Sequence, residues 1–470
     1  MIRTFSAAAL LAAAAVASPA AAQTARPDQL AFRDLYKELI EINTTLSVGS
    51  CTAASQAMAA RLKAAGFADA ELQVIVPPQR PKDGALVATL RGTDAKAKPI
   101  LLLAHIDVVE ANRADWERDP FKLVEEDGFF YARGASDDKA QAAVWVDTLA
   151  RYKTEGFKPK RTIRMALTCG EETPDTFNGV QYLIANNRDL MDAEFVLNEG
   201  AGGRLDEKGT RVSLGIQAGE KVYQDYTLEV TNKGGHSSAP VKDNAIYHLS
   251  QGLSRLGEYD FPIKLNDAVK ANFEQMAKIE GGPNGAAMAE VAKDPGNAEA
   301  VAIVARDPGR NSMMRTTCVA TMVNAGHAPN ALPQRAKANV NCRILPGESV
   351  ESVRQTLVKV LADDAIKVTT VGEPSPVSPP PTLSKQIMGP VEKVAAKLWP
   401  GVPVVPVMAT GATDGRFLNA VGVPTYGLSG MFGEIGGNGA HGLNEKIRVR
   451  SLYEGRDFLY EVVKLYANQK

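Results

Sequence analysis

Short apolar runs that end at polar or acidic residues mark the first half of the chain. The runs are Pro99 to Ala104, Ile163 to Thr168 and Phe195 to Leu197. Their length and their polar or glycine boundaries predict buried parallel strands. The segment from Lys139 to Tyr152 has apolar residues at helical spacing and predicts a helix. The pattern as a whole predicts an open α/β sheet.

A different pattern begins near Val222. Tyr226, Leu228 and Val230 alternate with polar residues, as a half-buried strand would. A helix pattern from Ile246 to Leu256 follows, and then a strand pair around Pro333. The change of pattern predicts a second domain. Two further helix patterns, Leu383 to Leu398 and Leu452 to Tyr466, indicate a return to the first domain.

Acidic residues follow the strand-like runs of the first domain. The clusters are His105-Ile106-Asp107, Ser136-Asp137-Asp138, Glu171-Glu172 and Asn198-Glu199. Because ligands bind at the carboxyl ends of strands in an open α/β sheet, we expect these clusters to converge on one crevice. Zinc favours imidazole nitrogen and carboxylate oxygen, and two neighbouring cations need a shared carboxylate. The clusters therefore predict a site for two metal ions, with Asp137 as the candidate bridge.

Each of these residues also has an ordinary structural explanation. Asp137 precedes a helix and suits an N-cap, and His105 suits a hydrogen-bonded residue at a strand end. Glu171-Glu172 suits a solvated acidic turn. The clusters taken together favour metal binding. Adjacent carboxylates repel, so one of the two glutamates is expected to bind a cation while the other acts as a base.

These residues resemble the motifs of a known family. The chain is similar to the co-catalytic zinc family of glutamate carboxypeptidase, aminoacylase, acetylornithine deacetylase and succinyl-diaminopimelate desuccinylase. Six motifs stand in the order of that family: His105-Ile106-Asp107, Arg133 to Lys139, Glu171-Glu172, Asn198-Glu199-Gly200, Gly234 to Ser238, and His441. The resemblance covers nearly the whole mature chain.

The resemblance implies a site with two Zn²⁺ ions per chain, for which Co²⁺ or Mn²⁺ can substitute. His105 and Glu199 would hold one ion, Glu172 and His441 the other, and Asp137 would bridge them. Glu171 would be the general base. Asp107 would orient the His105 ring.

The resemblance also implies the domain organisation. A zinc-exopeptidase-like catalytic domain, with a mostly parallel sheet between helices, would comprise residues 23–218 and 373–470. An inserted α+β lid domain, residues 219–372, would form a homodimer. Its segment from Lys270 to Arg310 is longer than expected and is a candidate for narrowing the cleft.

Four further residues receive roles from the same resemblance. His236 would reach the active site of a partner subunit and stabilise the oxyanion. Asn330 and Arg343 would contact the substrate. Arg416 ends the motif Gly411 to Arg416, in which Ala412 replaces a family glycine, and would bind a substrate carboxylate. An ordinary surface arginine in a turn is an equally good explanation of Arg416.

Composition limits the possible classes of protein. The 470 residues are 45% hydrophobic and 23% charged, with a formal net charge of -1, which suits a globular protein and offers no basic surface for nucleic acid. After the N-terminus, no apolar run approaches the length of a membrane span. Residues 1–22, with Arg3, an apolar run and small residues up to Ala22, predict a cleavable signal peptide, and hence a periplasmic or secreted protein if the source is bacterial.

Export would permit disulfides among the four cysteines. Cys318 and Cys342 are the only pair that the sequence makes plausible, because Cys169 lies beside the predicted site and Cys51 is distant in sequence. Free buried thiols are the equal alternative.

The function that we expect is metal-assisted hydrolysis of a peptide or amide bond in a small substrate. An exopeptidase of carboxypeptidase type acting on short peptides is the first choice, and an N-acyl-amino-acid amidohydrolase is the second. A secreted peptide-binding protein without catalysis is the rival from another class. The complete ligand set and Glu171 argue against that rival.

Overall fold

The computed structural model describes residues 26–173 and 176–469, so the predicted signal peptide lies outside the described residues. The α-helices are α1 Pro27–Glu41, α2 Cys51–Ala64, α3 Lys139–Thr154, α4 Gly179–Asn186, α5 Arg188–Met191, α6 Ala245–Gly257, α7 Asp267–Glu280, α8 Gly282–Lys293, α9 Ala298–Val304, α10 Pro308–Met314, α11 Val350–Leu361, α12 Lys385–Leu398, α13 Gly415–Ala420 and α14 Val449–Ala467. The strands are β1 Leu72–Ile75, β2 Ala85–Leu90, β3 Ile100–His105, β4 Val124–Glu126, β5 Phe129–Tyr131, β6 Ile163–Thr168, β7 Phe195–Asn198, β8 Gly203–Leu205, β9 Arg211–Glu220, β10 Val222–Thr231, β11 Gly235–His236, β12 Thr317–Ala325, β13 Ala331–Leu332, β14 Arg335–Ile344, β15 Lys367–Thr370, β16 Val404–Ala409, β17 Thr425–Gly427, β18 Phe432–Gly433 and β19 Lys446–Arg448.

A ten-stranded sheet forms the centre of the catalytic domain. Its strand order is β1-β2-β6-β3-β7-β17-β9-β8-β18, and β16 pairs with β9 beside this path. The neighbours β6, β3, β7 and β17 run parallel, whereas the pairs β1-β2, β2-β6, β17-β9 and β9-β8 are antiparallel. The three predicted parallel strands are therefore confirmed as β3, β6 and β7, side by side.

Helices cover both faces of this sheet, and β3 shows why its sequence is apolar throughout. Ile100, Leu102 and Ala104 belong to the core that contains residues of α1, α3 and α14, whereas Leu101 and Leu103 belong to a second core with residues of α4 and α13. Successive side chains of a strand point to opposite faces, so a strand buried on both faces is apolar at every position. The predicted α/β architecture is confirmed.

The lid is a separate antiparallel sheet with the order β12-β14-β10-β15. Helices α6 and α11 pack on one face, where Tyr226, Leu249, Val340 and Leu357 are part of one core. Every second residue of β10 is buried, as the alternation in its sequence predicts. The edge strand β12 instead exposes Val319, Met322 and Val323.

Helices α7 to α10 contain the long segment from Lys270 to Arg310. Their core includes Val405 and Met408 of β16, and Asn272 Nδ2 donates to the backbone oxygen of Pro406 at 2.7 Å. These helices thus pack on the edge of the catalytic sheet.

All four cysteines are paired in disulfides, Cys318 with Cys342 and Cys51 with Cys169. The first pair joins neighbouring positions of β12 and β14 and decides between the two alternatives, a disulfide and free thiols, that the sequence left open. The sequence-based view that only this pair is plausible was wrong. Helix α2 packs on β2, which neighbours β6, so Cys51 at the start of α2 meets Cys169 just beyond β6 despite a separation of 118 residues.

In the part of the chain that the structure describes, no helix is both long enough and apolar enough to cross a membrane.

Candidate metal centre

His105 is the last residue of β3 and is buried against the end of the sheet. Its Nδ1 atom lies 3.0 Å from the backbone oxygen of Asp107. A neutral imidazole in this position donates from Nδ1 and keeps the Nε2 lone pair for a metal. Nε2 lies 3.1 Å from Asp137 Oδ1 and 3.8 Å from Glu199 Oε1, which completes a first donor group.

His441 belongs to a second donor group and lies in the loop between β18 and β19. Its Nε2 atom is 2.9 Å from Glu172 Oε2 and 3.3 Å from Asp137 Oδ2. The two oxygens of Asp137 therefore face different histidines. This is the arrangement that a carboxylate shared by two cations requires.

The Glu171-Glu172 turn follows β6 and is held by Asp107. The carboxylate of Asp107 accepts the backbone N–H groups of Glu171 at 3.3 Å and Glu172 at 3.0 Å. Asp107 Oδ1 is also 3.6 Å from His105 Nδ1, farther than its own backbone oxygen. Asp107 thus contacts both the His105 ring and the backbone of the two glutamates.

Glu445 fixes the loop that carries Asp137, and our sequence reasoning missed it. This fully buried carboxylate accepts the backbone N–H groups of Gly134, Ser136 and Asp137 at 2.7 to 2.9 Å. It also pairs with Arg133 at 2.8 Å, and Arg133 Nη2 donates to the backbone oxygen of Gly442, next to His441. One acidic residue before a lysine carries no sequence signal of this role.

Asp414 is a second buried acid that sequence reasoning did not assign. It accepts a hydrogen bond from Asn178 Nδ2 at 2.5 Å, and the hydroxyl of Thr168 lies 3.5 Å from its other oxygen. Burial raises the pKa of Asp414 to about 6. Its charge acts on Glu171 and contributes to the raised pKa of that residue.

The acidic residues of the centre repel one another strongly. Burial, reinforced by the neighbouring carboxylates, raises the pKa of Glu172 to about 7 and raises the pKa values of Glu171 and Glu199 well above their usual range. The hydrogen bond to Asp137 raises the pKa of His441 to about 9. Burial alone would lower the pKa of His105, but the surrounding carboxylates raise it well above its usual value. Bound divalent cations would relieve this excess of negative charge.

The donor set fits two cations of the zinc type. Each group combines imidazole nitrogen with carboxylate oxygen, and its donor atoms lie within 4.8 Å of one another. A third grouping places Glu171 with His105 and Glu172, so a carboxylate remains beside the pair that could serve as a base. All five predicted ligands and Glu171 are thereby brought together.

The lid residues are placed differently. His236 and Asn330 are exposed at the two-stranded β11-β13 sheet, where Ser237 N donates to Asn330 O at 3.0 Å. The Nδ1 atom of His236 accepts from Ser238 N at 3.1 Å. Among the described residues, no metal-site donor group includes His236.

Arg343 lies on β14 of the lid and Arg416 on α13 of the catalytic domain. Burial lowers the pKa of Arg343, and the charge of Arg416 lowers it further. Arg343 stacks on the Tyr223 ring at 4.7 Å. Nε of Arg416 is buried and has no hydrogen-bond partner in the described parts of the chain. A buried guanidinium donor without a partner favours an anionic ligand.

The α/β sheet, the separate lid and the paired donor groups with a shared carboxylate define a metal-dependent hydrolase. The profile of peptidase family M20/M25/M40 matches residues 101–465. The chain therefore belongs to this family of metallopeptidases and amidohydrolases. A solved member from Bacillus subtilis, 12% identical with a TM-score of 0.60 and coverage of 93% of this chain and 98% of that one, is described as a dinuclear metal-binding peptidase.

Relatives of similar sequence carry two kinds of name. The mouse and human N-fatty-acyl-amino acid synthase/hydrolases PM20D1 are 29% and 30% identical over 391 and 395 residues, which is 80% of this chain and 76% of each relative. Carboxypeptidase S of Saccharomyces cerevisiae is 29% identical over 285 residues, 57% of this chain and 49% of that protein.

Among solved structures, an M20 family metallo-carboxypeptidase from Sulfolobus solfataricus has the same fold. Its TM-score is 0.69 at 21% identity, with coverage of 94% of this chain and 100% of that chain.

Proposed function

We propose that this protein hydrolyses the amide bond that joins an acyl or peptidyl group to an amino acid with a free carboxylate. The observation that carries the proposal is the pair of histidine–carboxylate groups that share Asp137, with Glu171 beside them. Carboxypeptidases and N-acyl-amino acid hydrolases both release a free amino acid, so the relatives named above agree on this product.

Glu171 is the proposed general base. Its position beside His105 and Glu172 lets a carboxylate oxygen take a proton from the attacking water and pass it to the leaving amine. Two bound cations, which we propose to be Zn²⁺, would supply Lewis acidity and lower the pKa of that water. His105, Glu199, Glu172 and His441 would hold them, with Asp137 between. The carboxylate of Asp107 accepts hydrogen bonds from the backbone N–H groups of Glu171 and Glu172. Asp107 would thereby keep the His105 ring and the two glutamates in their orientation.

The guanidinium pair of Arg343 and Arg416 is the proposed site for the substrate carboxylate. The two groups come from different domains, Arg343 from β14 and Arg416 from α13, so a bound anion would join the lid to the catalytic domain. Asn330 is proposed to contact the substrate from the lid as well. This requirement for a free carboxylate limits the enzyme to the C-terminal end of a peptide or to N-acyl amino acids.

His236 is proposed to act in the active site of a second subunit. In one chain it is exposed on the two-residue strand β11, and its Nδ1 atom is held by Ser238. The lid offers an unpaired edge at β12 with three exposed apolar residues, a surface suited to strand pairing between subunits. We propose a homodimer through the lid in which His236 stabilises the oxyanion.

Export is the proposed location. Two disulfides within the described residues suit an oxidising compartment, in keeping with a signal peptide at residues 1–22. The periplasm is the expected compartment in a bacterium.

Of the two candidate substrates, peptides are the first and N-acyl amino acids are the second. The N-fatty-acyl-amino acid hydrolases match 80% of this chain, and a probable carboxypeptidase S-like protein of Dictyostelium discoideum matches 81%, so both kinds of relative support a candidate. Dipeptides and N-acyl amino acids should therefore be tested side by side.

The test uses the mature chain, stripped of metal and reloaded with zinc. Released leucine, or leucinamide in the case of the amides, is measured after incubation with N-acetyl-leucine, N-decanoyl-leucine and alanyl-leucine, and with the C-terminal amide of each. We expect zinc-dependent release from the acids and little from the amides. Equal release from acids and amides would contradict the carboxylate site, and binding without any release would favour a non-catalytic protein.

A further inference from the structure

A cavity of about 420 Å³ opens beside the first donor group of the metal centre. Asp137 and Glu199 form part of its wall, together with the backbone from Gly200 to Gly203. Its size lies within the range of about 300–1,000 Å³ that is usual for small-molecule sites. Neither Arg343 nor Arg416 lines it. The cavity is therefore separate from the proposed carboxylate site.

The rest of the wall combines apolar and charged side chains. The charged residues are Arg204, Glu434, Lys446 and Arg448, of which Arg448 pairs with Glu434 at 2.6 Å. The apolar residues are Phe129 of β5, Met431, Phe432 of β18 and Ile447 of β19. The apolar part of the wall gains free energy when it contacts a hydrocarbon chain in place of water.

Gly202 and Gly203 lie so close to Met431 and Phe432 that neither position has room for a side chain. A Cβ atom on Gly202 would lie 2.5 Å from the backbone oxygen of Met431, and one on Gly203 would lie 2.2 Å from the Phe432 ring. Any larger residue at these two positions would displace β8 from β18. The strands can approach only because both positions are glycine.

Gly433 has the opposite environment. It lines the cavity, and a Cβ atom there would meet nothing nearer than the backbone oxygen of Gly203 at 4.0 Å. A larger side chain at this position would fit without a steric clash and would occupy part of the cavity. Gly433 is therefore the position at which the size of the cavity can be changed without disturbing the metal ligands.

Polar groups also line the cavity. One of them, Gln141, lies four residues after Asp137, is buried, and its Nε2 atom has no hydrogen-bond partner among the residues described. A buried amide donor without a partner costs free energy unless a ligand or water supplies an acceptor. A ligand with a carbonyl group at one end and a hydrocarbon chain at the other suits this distribution.

We infer that the cavity binds the acyl chain of an N-acyl amino acid, and that the preferred substrates have a linear chain of several methylene groups. The inference rests on the proposed amide hydrolysis and adds the substrate class to it. Each methylene group that enters the cavity should raise kcat/KM about fourfold until the cavity is full.

The test compares N-acetyl-leucine with N-hexanoyl-, N-decanoyl- and N-tetradecanoyl-leucine on the zinc-loaded chain. We expect kcat/KM to rise with chain length. Gly433→Leu should lower the ratio of decanoyl to acetyl kcat/KM at least tenfold, and Gly433→Ala should lower it less. Gly257→Leu is the matched control, because Gly257 ends α6 in the lid and also has no neighbouring atom within 4 Å of an added Cβ. It should leave the ratio unchanged.

A binding measurement separates this inference from the proposed reaction. Calorimetry on Glu171→Gln should show tighter binding of N-decanoyl-leucine than of N-acetyl-leucine, and adding Gly433→Leu should remove the difference. Absence of turnover on all substrates, with this binding difference intact, would overturn the reaction and leave the cavity assignment standing. Equal binding of both ligands, or a chain-length ratio that Gly433→Leu does not change, would overturn the assignment.

Discussion

The residues that bind metal and the residues that the lid contributes are held to very different degrees. His105, Asp107 and Glu445 are buried, and each is fixed by backbone hydrogen bonds. His236 and Asn330 are exposed at a sheet of two two-residue strands, β11 and β13. The proposed metal ligands thus come together within one chain, whereas the roles proposed for the lid residues require a second subunit.

The largest effect is expected from the proposed base. Glu171→Gln keeps the shape of the side chain and removes its ability to accept a proton, so kcat should fall by about 10²–10⁴-fold. Metal analysis should still find two ions per chain. Glu172→Gln is the matched control and should lose metal. Loss of metal from Glu171→Gln alone would mean that their roles are reversed, and retention of metal by both variants would contradict the assignment of Glu172 as a ligand.

The lid side of the comparison is tested by His236→Ala. Loss of a proposed oxyanion donor should lower kcat by about 10²–10³-fold without changing the metal content. Since His236 is proposed to act across a dimer, mixing this variant with Glu171→Ala should restore part of the activity, because one of the two active sites then has both residues. No recovery in verified heterodimers would rule out sharing between subunits.

The stability of the proposed metal centre is tested through Glu445. This residue contacts the Asp137 loop and Arg133 but belongs to none of the donor groups. Glu445→Gln replaces an acceptor oxygen by a donor facing backbone N–H groups, and we expect zinc affinity to fall about 10–100-fold. Competition with a chelator measures this. Glu351→Gln, which removes an exposed ion pair with Arg354 at 2.8 Å, is the control and should bind zinc normally.

The smallest effect is expected in the lid, where His248 bridges Asp363 at 2.6 Å and Asp243 at 3.2 Å. The bond to Asp363 raises the pKa of His248, so its contribution to stability is full below about pH 6.5 and is lost as the pH rises through the folded-state value. The pKa of Asp363 is lowered by His248, so its contribution is lost as the pH falls below about 4.

Asp363→Asn should therefore lower the thermal stability of the chain by a small amount near pH 5 and by less at pH 9. Melting curves at both values measure this difference. A loss that is the same at both values would show that the ion pair contributes nothing.

Local pattern and motif order sufficed to predict β3, β6, β7 and α3, and therefore the meeting of His105, Asp137, Glu171 and Glu199 at one sheet edge. They could not predict contacts that depend on packing between distant segments. Glu445 lies 308 residues from Asp137, and its role arises only when β19 pairs with β5. The position of α7 to α10 depends in the same way on packing against a distant segment, Val405 and Met408 of β16.

The Cys51–Cys169 disulfide ends two residues before Glu171. A covalent tether at this point does not depend on cations, so a chain deprived of metal by a chelator keeps the base close to its working position. We expect such a chain to recover activity on remetallation without passing through an unfolded state. A chain made in a reducing compartment lacks the tether, and its glutamate turn is then anchored mainly by Asp107. We therefore expect the oxidation state of Cys51 and Cys169 to affect how much activity the enzyme recovers after its metal ions have been removed and replaced.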